Sequence, residues 1–340
     1  MIIMTQLSFS SGDLVADRRA DYARMLADGG DFAAAADLMR QALELVPSWP
    51  AGHFTLGVLE EKSGRLEAAS DAFREVLRLA PTDIYGAGLK LAALGQAQAP
   101  SQPPAAYVER LFDDYAERFD AALVEGLSYS IPEKLTALIV ANAPDRFKTA
   151  VDLGCGTGLL GERLRSRVSF LKGYDISKGM LAKAAEKAVY DQLATADLAS
   201  GPSDGGVPLP ENEALKADLV TAADVFMYFG DLEPVFATAA AIIATNGYFS
   251  FSVEDGAADV DWQLQPSLRY RHGEPYLRAL LERHGFDIVA TERGPIRRDG
   301  TNTIIGLLIV ARRRSVADMT LADLPLIEVS SDIAPTEVLH

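Results

Sequence analysis

A doubly wound α/β sheet preceded by a small all-α repeat domain is the fold class predicted by this 340-residue sequence, on three observations. Residues 151 to 158 read Val-Asp-Leu-Gly-Cys-Gly-Thr-Gly, an apolar strand running into a glycine-rich turn, and Asp175 follows Gly154 by twenty-one residues at the end of a second apolar run, Val168 to Tyr174. The N-terminal third repeats itself at a fixed interval. Apolar residues make up 49% of the chain, ample for a core, and the chain is too long for one ordinary domain.

The repeat comes first. Gly30, Ala34, Ala35, Asp37, Arg40, Leu43, Leu45 and Pro47 recur as Gly64, Ala68, Ala69, Asp71, Arg74, Leu77, Leu79 and Pro81, a constant shift of 34. Small residues at Ala35 and Ala69 let paired helices approach, and each proline ends a second helix. The interval and the Leu56-Gly57 pair resemble tetratricopeptide (TPR) helical hairpins. Two full repeats are visible between Asp17 and Leu94, so the helix Ile84 to Leu94 is expected to cap the stack. Either a groove for a protein partner or a scaffold is compatible with such a unit. Gly95 to Ala106 carries three prolines and no charge, the composition of a linker. The expected division is a repeat domain over 15–94, a linker over 95–106, a catalytic domain over 107–314 and an acidic mobile tail over 315–340.

After the linker, Leu111, Phe112, Tyr115 and Phe119 share one helical face, the pattern of an amphipathic helix covering a sheet. Next come Leu127 to Pro132 and the strand Thr149 to Leu153. The three glycines after that strand let the backbone approach a ligand without Cβ interference, and a helix is expected to start near Gly158 with its free amides facing the ligand. Asp175, at the tip of the next strand, is placed to accept hydrogen bonds from a ribose diol.

Glycine spacing separates two cofactor classes. A dinucleotide site asks for glycine at the sixth position of Gly-x-Gly-x-x-Gly, and here that position is Leu159. The pattern present is Asp152-x-Gly154-x-Gly156-x-Gly158, which resembles the first motif of class I S-adenosylmethionine (SAM) methyltransferases. Asp175-Ile176 with Met180 is similar to that family's ribose strand and adenine-side helix, and Ala196-Asp197-Leu198 to its adenine segment. Asp218 to Asp224 and Gly247 to Val253 are similar to its fourth and fifth strands. The resemblance implies a Rossmann-like mixed sheet of seven strands in the order 3-2-1-4-5-7-6, with the last strand near Ile304 to Arg312. It also implies SAM as cofactor, held by Asp152, Gly154, Cys155, Gly156, Gly158, Asp175, Ile176, Met180, Asp197 and Leu198. The segment from Tyr107 onward resembles the lid of bacterial methyltransferases with TPR repeats, which implies contact between Tyr115 and the cofactor. Cys155 itself reads as a compact apolar residue in a turn that demands small ones.

For the acceptor side, the turn after the fourth strand offers Asp224, Met227 and Tyr228. Four histidines are present, and His272 alone falls after the fifth strand, in the loop Leu268 to Gly273, where an ordinary imidazole could serve as a base near neutrality. Its neighbours Tyr270 and Arg271 suit an anionic or hydroxylated acceptor. The expected catalytic residues are therefore His272, Tyr228 and Asp224, with Tyr270 and Arg271 binding substrate. Methyl transfer to an O or N atom of a small-molecule or protein acceptor is the expected reaction, and a non-enzymatic TPR adaptor with a SAM-binding domain is the alternative. A nucleotide-sugar or nicotinamide enzyme is a second alternative, disfavoured by Leu159.

A net charge of −16, with no Lys/Arg cluster beyond Arg312-Arg313-Arg314, disfavours nucleic acid as a partner. No metal site is expected, because the active-site turn lacks adjacent ligands. The longest uncharged apolar stretch, Ile304 to Ala311, falls far short of a membrane span, the N-terminus lacks an export signal, and one cysteine permits no internal disulfide. A cytoplasmic location without membrane attachment is the expectation.

Overall fold

A computed structural model describes residues 10–121, 129–299 and 302–315. The expected tail, beyond Ser315, and residues 127 and 128 of the lid segment lie outside the described residues.

Five helices form the N-terminal unit: α1 (Leu14–Asp28), α2 (Phe32–Leu45), α3 (Pro50–Lys62), α4 (Leu66–Leu79) and α5 (Ala87–Ala93). Local chemistry sets their starts. Asp13 accepts from the amides of Val15 and Ala16, and Asp31 from that of Ala34, supplying the side-chain caps that helix N-termini need. α2 and α4 stop two residues before Pro47 and Pro81. Ala35 and Ala69 are fully buried where α2 meets α1 and α4 meets α3, so the small residues sit at the close approaches. Glu60 of α3 is buried as well and takes ion pairs from Arg40 of α2 and Arg65, which locks the first hairpin to the second.

Within the segment of linker composition, residues 100–102 are bonded to the rest of the protein. The carbonyl of Ser101 accepts from the amides of Gly230 and Asp231, the Gln102 amide donates to the carbonyl of Asp231, and the Tyr270 hydroxyl donates to the carbonyl of Pro100 at 2.7 Å. Next come α6 (Ala105–Tyr115), a short 3-10 turn, the single-turn α7 (Phe119–Ala121) and α8 (Ile131–Asn142).

The sheet follows. Its strands are β1 (Phe147–Leu153), β2 (Val168–Asp175), β3 (Gln192–Thr195), β4 (Ala217–Ala222), β5 (Ile243–Asp255), β6 (Trp262–Leu264), β7 (Tyr270–His272), β8 (Phe286–Asp299) and β9 (Asn302–Arg313). Between them lie α9 (Leu159–Leu164), α10 (Lys178–Glu186), α11 (Glu233–Ile242) and α12 (Glu274–Arg283). β3, β2, β1, β4 and β5 run parallel, β9 pairs antiparallel with β5 along Tyr248 to Glu254, and β8 pairs with β9. Setting aside the small β6–β7 hairpin, this is the order 3-2-1-4-5-7-6 of a Rossmann-like mixed sheet. Apolar layers fill both faces, one around Phe226, Phe236, Phe249 and Phe251, the other around Ile131, Leu135, Leu164 and Leu308.

The β6–β7 hairpin is a correction. The sequence reading made residues 268–273 a loop, whereas Tyr270–His272 is a strand that pairs with β6 and, at Glu254 and Asp255, with β5. Among the described residues, no helix is long and apolar enough to cross a membrane.

Candidate functional site

β1 ends buried at Leu153, and the chain then turns through Gly154, Gly156 and Gly158, all at positive φ. At Gly154 the glycine is required twice, since φ is +63° and an added Cβ would stand 2.5 Å from Cγ2 of Val225. Gly156 is different: φ is +54°, and a Cβ would meet nothing nearer than the Phe119 ring at 4.0 Å, so the backbone faces open space. Gly158 starts α9.

Asp175 closes this turn. Its Oδ2 accepts from the Gly156 amide at 2.8 Å and its Oδ1 from the Ser177 amide at 2.9 Å. Burial nevertheless pushes its carboxyl up to about 6. Asp152 is equally enclosed, accepting from the Thr221 and Tyr190 hydroxyls at 2.8 Å each, and burial raises it to about 6 too. Burial drives the Cys155 thiol far above its ordinary range, which suits packing rather than nucleophilic chemistry.

These residues border one cavity of about 400 Å³. Asp152, Gly154, Cys155, Gly156, Asp175, Ile176, Met180, Asp197, Leu198 and Tyr115 all line it, while Gly158 stands just behind, against Tyr190. Asp197 spends one oxygen on the Ala199 amide and the other on the Ser200 hydroxyl. Over the cleft lie Phe112, Tyr115 and Phe119, packed edge to face, with Tyr228 against Phe112 at 4.9 Å between centroids. This cover is pinned by charge. Asp113 accepts from Ser177 and Gly179, Asp120 pairs with Thr157 and Lys187, and Glu117 with Lys183.

Asp224 and Tyr228 border the same cavity. Asp224 has φ of +59°, an uncommon conformation for a residue with a side chain. Its amide donates to the Ser252 hydroxyl, and its carboxylate receives Arg297 at 2.7 Å. Arg297, buried to 3% exposure, also pairs with buried Glu254.

The other acceptor-side assignments need correction. His272 is fully buried and borders no part of the cavity; its Nε2 donates to the Gly230 carbonyl at 3.1 Å, and burial lowers the imidazole to about 4. Tyr270 is fully buried with its hydroxyl on Pro100. Both side chains point inward from β7 because strand residues two apart share a face. Arg271 projects the other way, partly exposed near Glu254, and does not border the cavity either. Residues that the sequence reading missed take their place: Arg269, Arg297, Arg298, Asp299 and Tyr129.

Residues 151–249 match a family model described as a methyltransferase domain. Among solved structures, the chain is similar to the [4+2]-cyclase SpnF at 15% identity, covering 63% of this chain and 98% of that one, with a TM-score of 0.50. It is also similar to the Haloferax volcanii complex of the Trm112 methyltransferase activator with a methyltransferase (18% identity, 60% and 98% coverage, TM-score 0.48). A third is a SAM-dependent methyltransferase from Mesorhizobium loti (22% identity, 53% and 96% coverage, TM-score 0.40). No curated protein matches the sequence. The domain is a SAM-dependent methyltransferase domain, and SAM is its cofactor. The residues present fit that group: an open glycine turn, a buried acid at the second strand end, and an apolar floor at Ile176, Met180 and Leu198.

Proposed function

We propose that the enzyme transfers the methyl group of SAM to an oxygen or nitrogen atom of an acceptor bound between Tyr228, Asp224 and Arg269. The observation that carries this reading is the continuity of the cavity from the glycine turn and Asp175 to Asp224 and Tyr228. In it, Asp175 would hold the ribose, Ile176, Met180 and Leu198 the adenine, and the Gly154–Gly156 backbone with Tyr115 the methionine end. Bound there, SAM supplies an electrophilic methyl on a sulfonium.

The protein's own contribution is alignment and exclusion of water. Phe112, Tyr115 and Phe119 roof the cleft, and aromatic faces favour a cation while keeping water out. Asp224, with Arg297 on one oxygen, is positioned to accept a hydrogen bond from an acceptor hydroxyl or ammonium and to orient its lone pair. Tyr228, beside it on the cavity wall, is the second orienting group. For the N-terminal unit we propose a TPR-type scaffold that presents a surface to a protein partner, on the strength of the 34-residue shift and the buried alanines.

The test is turnover of methyl-labelled SAM against fractionated small-molecule and protein extracts. Label entering an acceptor, with D224N lowering kcat on the order of a hundredfold while SAM affinity stays within about threefold, supports the reading. SAM binding without transfer to any fraction would overturn it.

A further inference from the structure

Two guanidinium groups are buried at the acceptor end of the cavity, and they are treated differently. Arg297 is matched by Asp224 and Glu254. Arg269, 8% exposed, has only a looser ion pair, NH1 to Asp299 at 3.9 Å, and its Nε, like that of Arg297, has no hydrogen-bond partner among the described residues. A guanidinium does not shed its proton, so a buried one short of partners carries a desolvation cost that an anion of matching geometry would relieve.

The surroundings narrow the chemistry. Arg269 immediately precedes β7 and follows a tight turn in which Leu268 takes φ of +61°, so the side chain is held at the cavity wall by a constrained backbone. The same cavity is lined by apolar Val108, Leu111, Phe112 and Phe229. One deep guanidinium without a close carboxylate, in a chain of net charge −16, suits a monoanion better than a polyphosphate. A planar carboxylate also fits the guanidinium fork with two parallel hydrogen bonds.

We propose that the methyl acceptor is a small amphipathic acid whose carboxylate is held by Arg269 and whose apolar body lies against Val108, Leu111 and Phe112. This rests on the transfer reaction proposed above and names the substrate class of the same site. It also moves the anion contact from Arg271, where the sequence suggested it, to the arginine two residues earlier.

The experiment is calorimetry on the full-length protein saturated with S-adenosylhomocysteine (SAH). The probes are medium-chain alkanoates, hydroxybenzoates and aminobenzoates, each beside its primary amide. At least one acid is expected to bind about tenfold or more tighter than its amide, and R269Q to erase that preference while SAH affinity changes less than about threefold. R269K, which keeps the charge and loses the fork, should retain only part of it, and it serves alongside the wild-type comparison should R269Q fail to fold. Three results overturn the proposal: no acid preferred over its amide in the wild type, a preference that persists in R269Q, or an SAH affinity that collapses in R269Q, which would assign the guanidinium to the cofactor's own carboxylate. An acid that binds through Arg269 yet is never methylated would instead count against the transfer reaction.

Discussion

Asp113 in α6 accepts from the Ser177 hydroxyl at 2.5 Å and from the Gly179 amide at 2.9 Å. One carboxylate from the cover of the cleft therefore caps the helix that begins beside Asp175. Closing the cover and finishing the cofactor side of the site are the same event.

Asp113→Ala should accordingly weaken SAM and SAH binding without touching either ligand. A hydrogen bond to a charged group contributes about 1.5–3 kcal/mol, so a rise in Kd on the order of tenfold, appearing mainly in the off-rate, is expected by stopped-flow and calorimetry. Unchanged dissociation would mean that the cover stays closed by its aromatic packing alone.

Cofactor affinity should fall in acid. The carboxyl of Asp175 sits at about 6, pushed up by burial, and a ribose diol needs it ionised. Binding is then full above that pH and declines about tenfold per unit below it. Asp175→Ala should lose on the order of tenfold to a hundredfold in SAM affinity at neutral pH and flatten the acid dependence. A variant that keeps the same acid limb would assign it to another group.

Asp152, also raised to about 6, gives the opposite sign for stability. The folded protein holds this proton more tightly than the unfolded chain, so the contribution favours folding at low pH and is lost as pH climbs through about 6. Asp152→Asn removes the titration. The stability difference between wild type and variant, from urea unfolding, should move against the wild type between roughly pH 4 and 6 and level off above.

Replacing Arg297 by Met leaves the buried Glu254 and the partly buried Asp224 without their shared cation. Breaking such a group typically costs about 3–5 kcal/mol, which denaturant titration should detect, and the Asp224 turn should lose its hold on the acceptor. A loss below about 1 kcal/mol would show that water replaces the guanidinium.

A protein beginning at Gly95 should fold and bind SAM, whereas one beginning at Ala105 should be less stable by about 1–3 kcal/mol. The second lacks the Ser101 and Pro100 carbonyls that pair with Gly230, Asp231 and Tyr270. Equal stability of the two would make those contacts incidental.

Legibility in the sequence followed locality. That Asp152 to Gly156, Asp175 and Asp197 would gather around one cavity was readable because each stands within a few residues of its own strand end, where glycine and acid have few other reasons to occur together. Arg297 was not, since its partner Asp224 lies 73 residues away and only the β8–β9 return brings them together. The β7 region failed for a different reason. Read as a loop, residues 269–272 are all available; as a strand, Tyr270 and His272 turn inward to the protein and Arg271 away from them, while Arg269, just before the strand, reaches the cleft. The N-terminal hairpins were legible through a spacing that needs no tertiary partner to be seen.

Pro103 and Ala105 belong to the cavity wall, and Ser101, two residues earlier, is bonded to the turn that follows Tyr228. The segment of chain leaving the helical unit is thus a jamb of the cavity itself. A shift of that segment would carry the cavity wall with it, so the width of the opening is tied to how Pro100 and Ser101 are held.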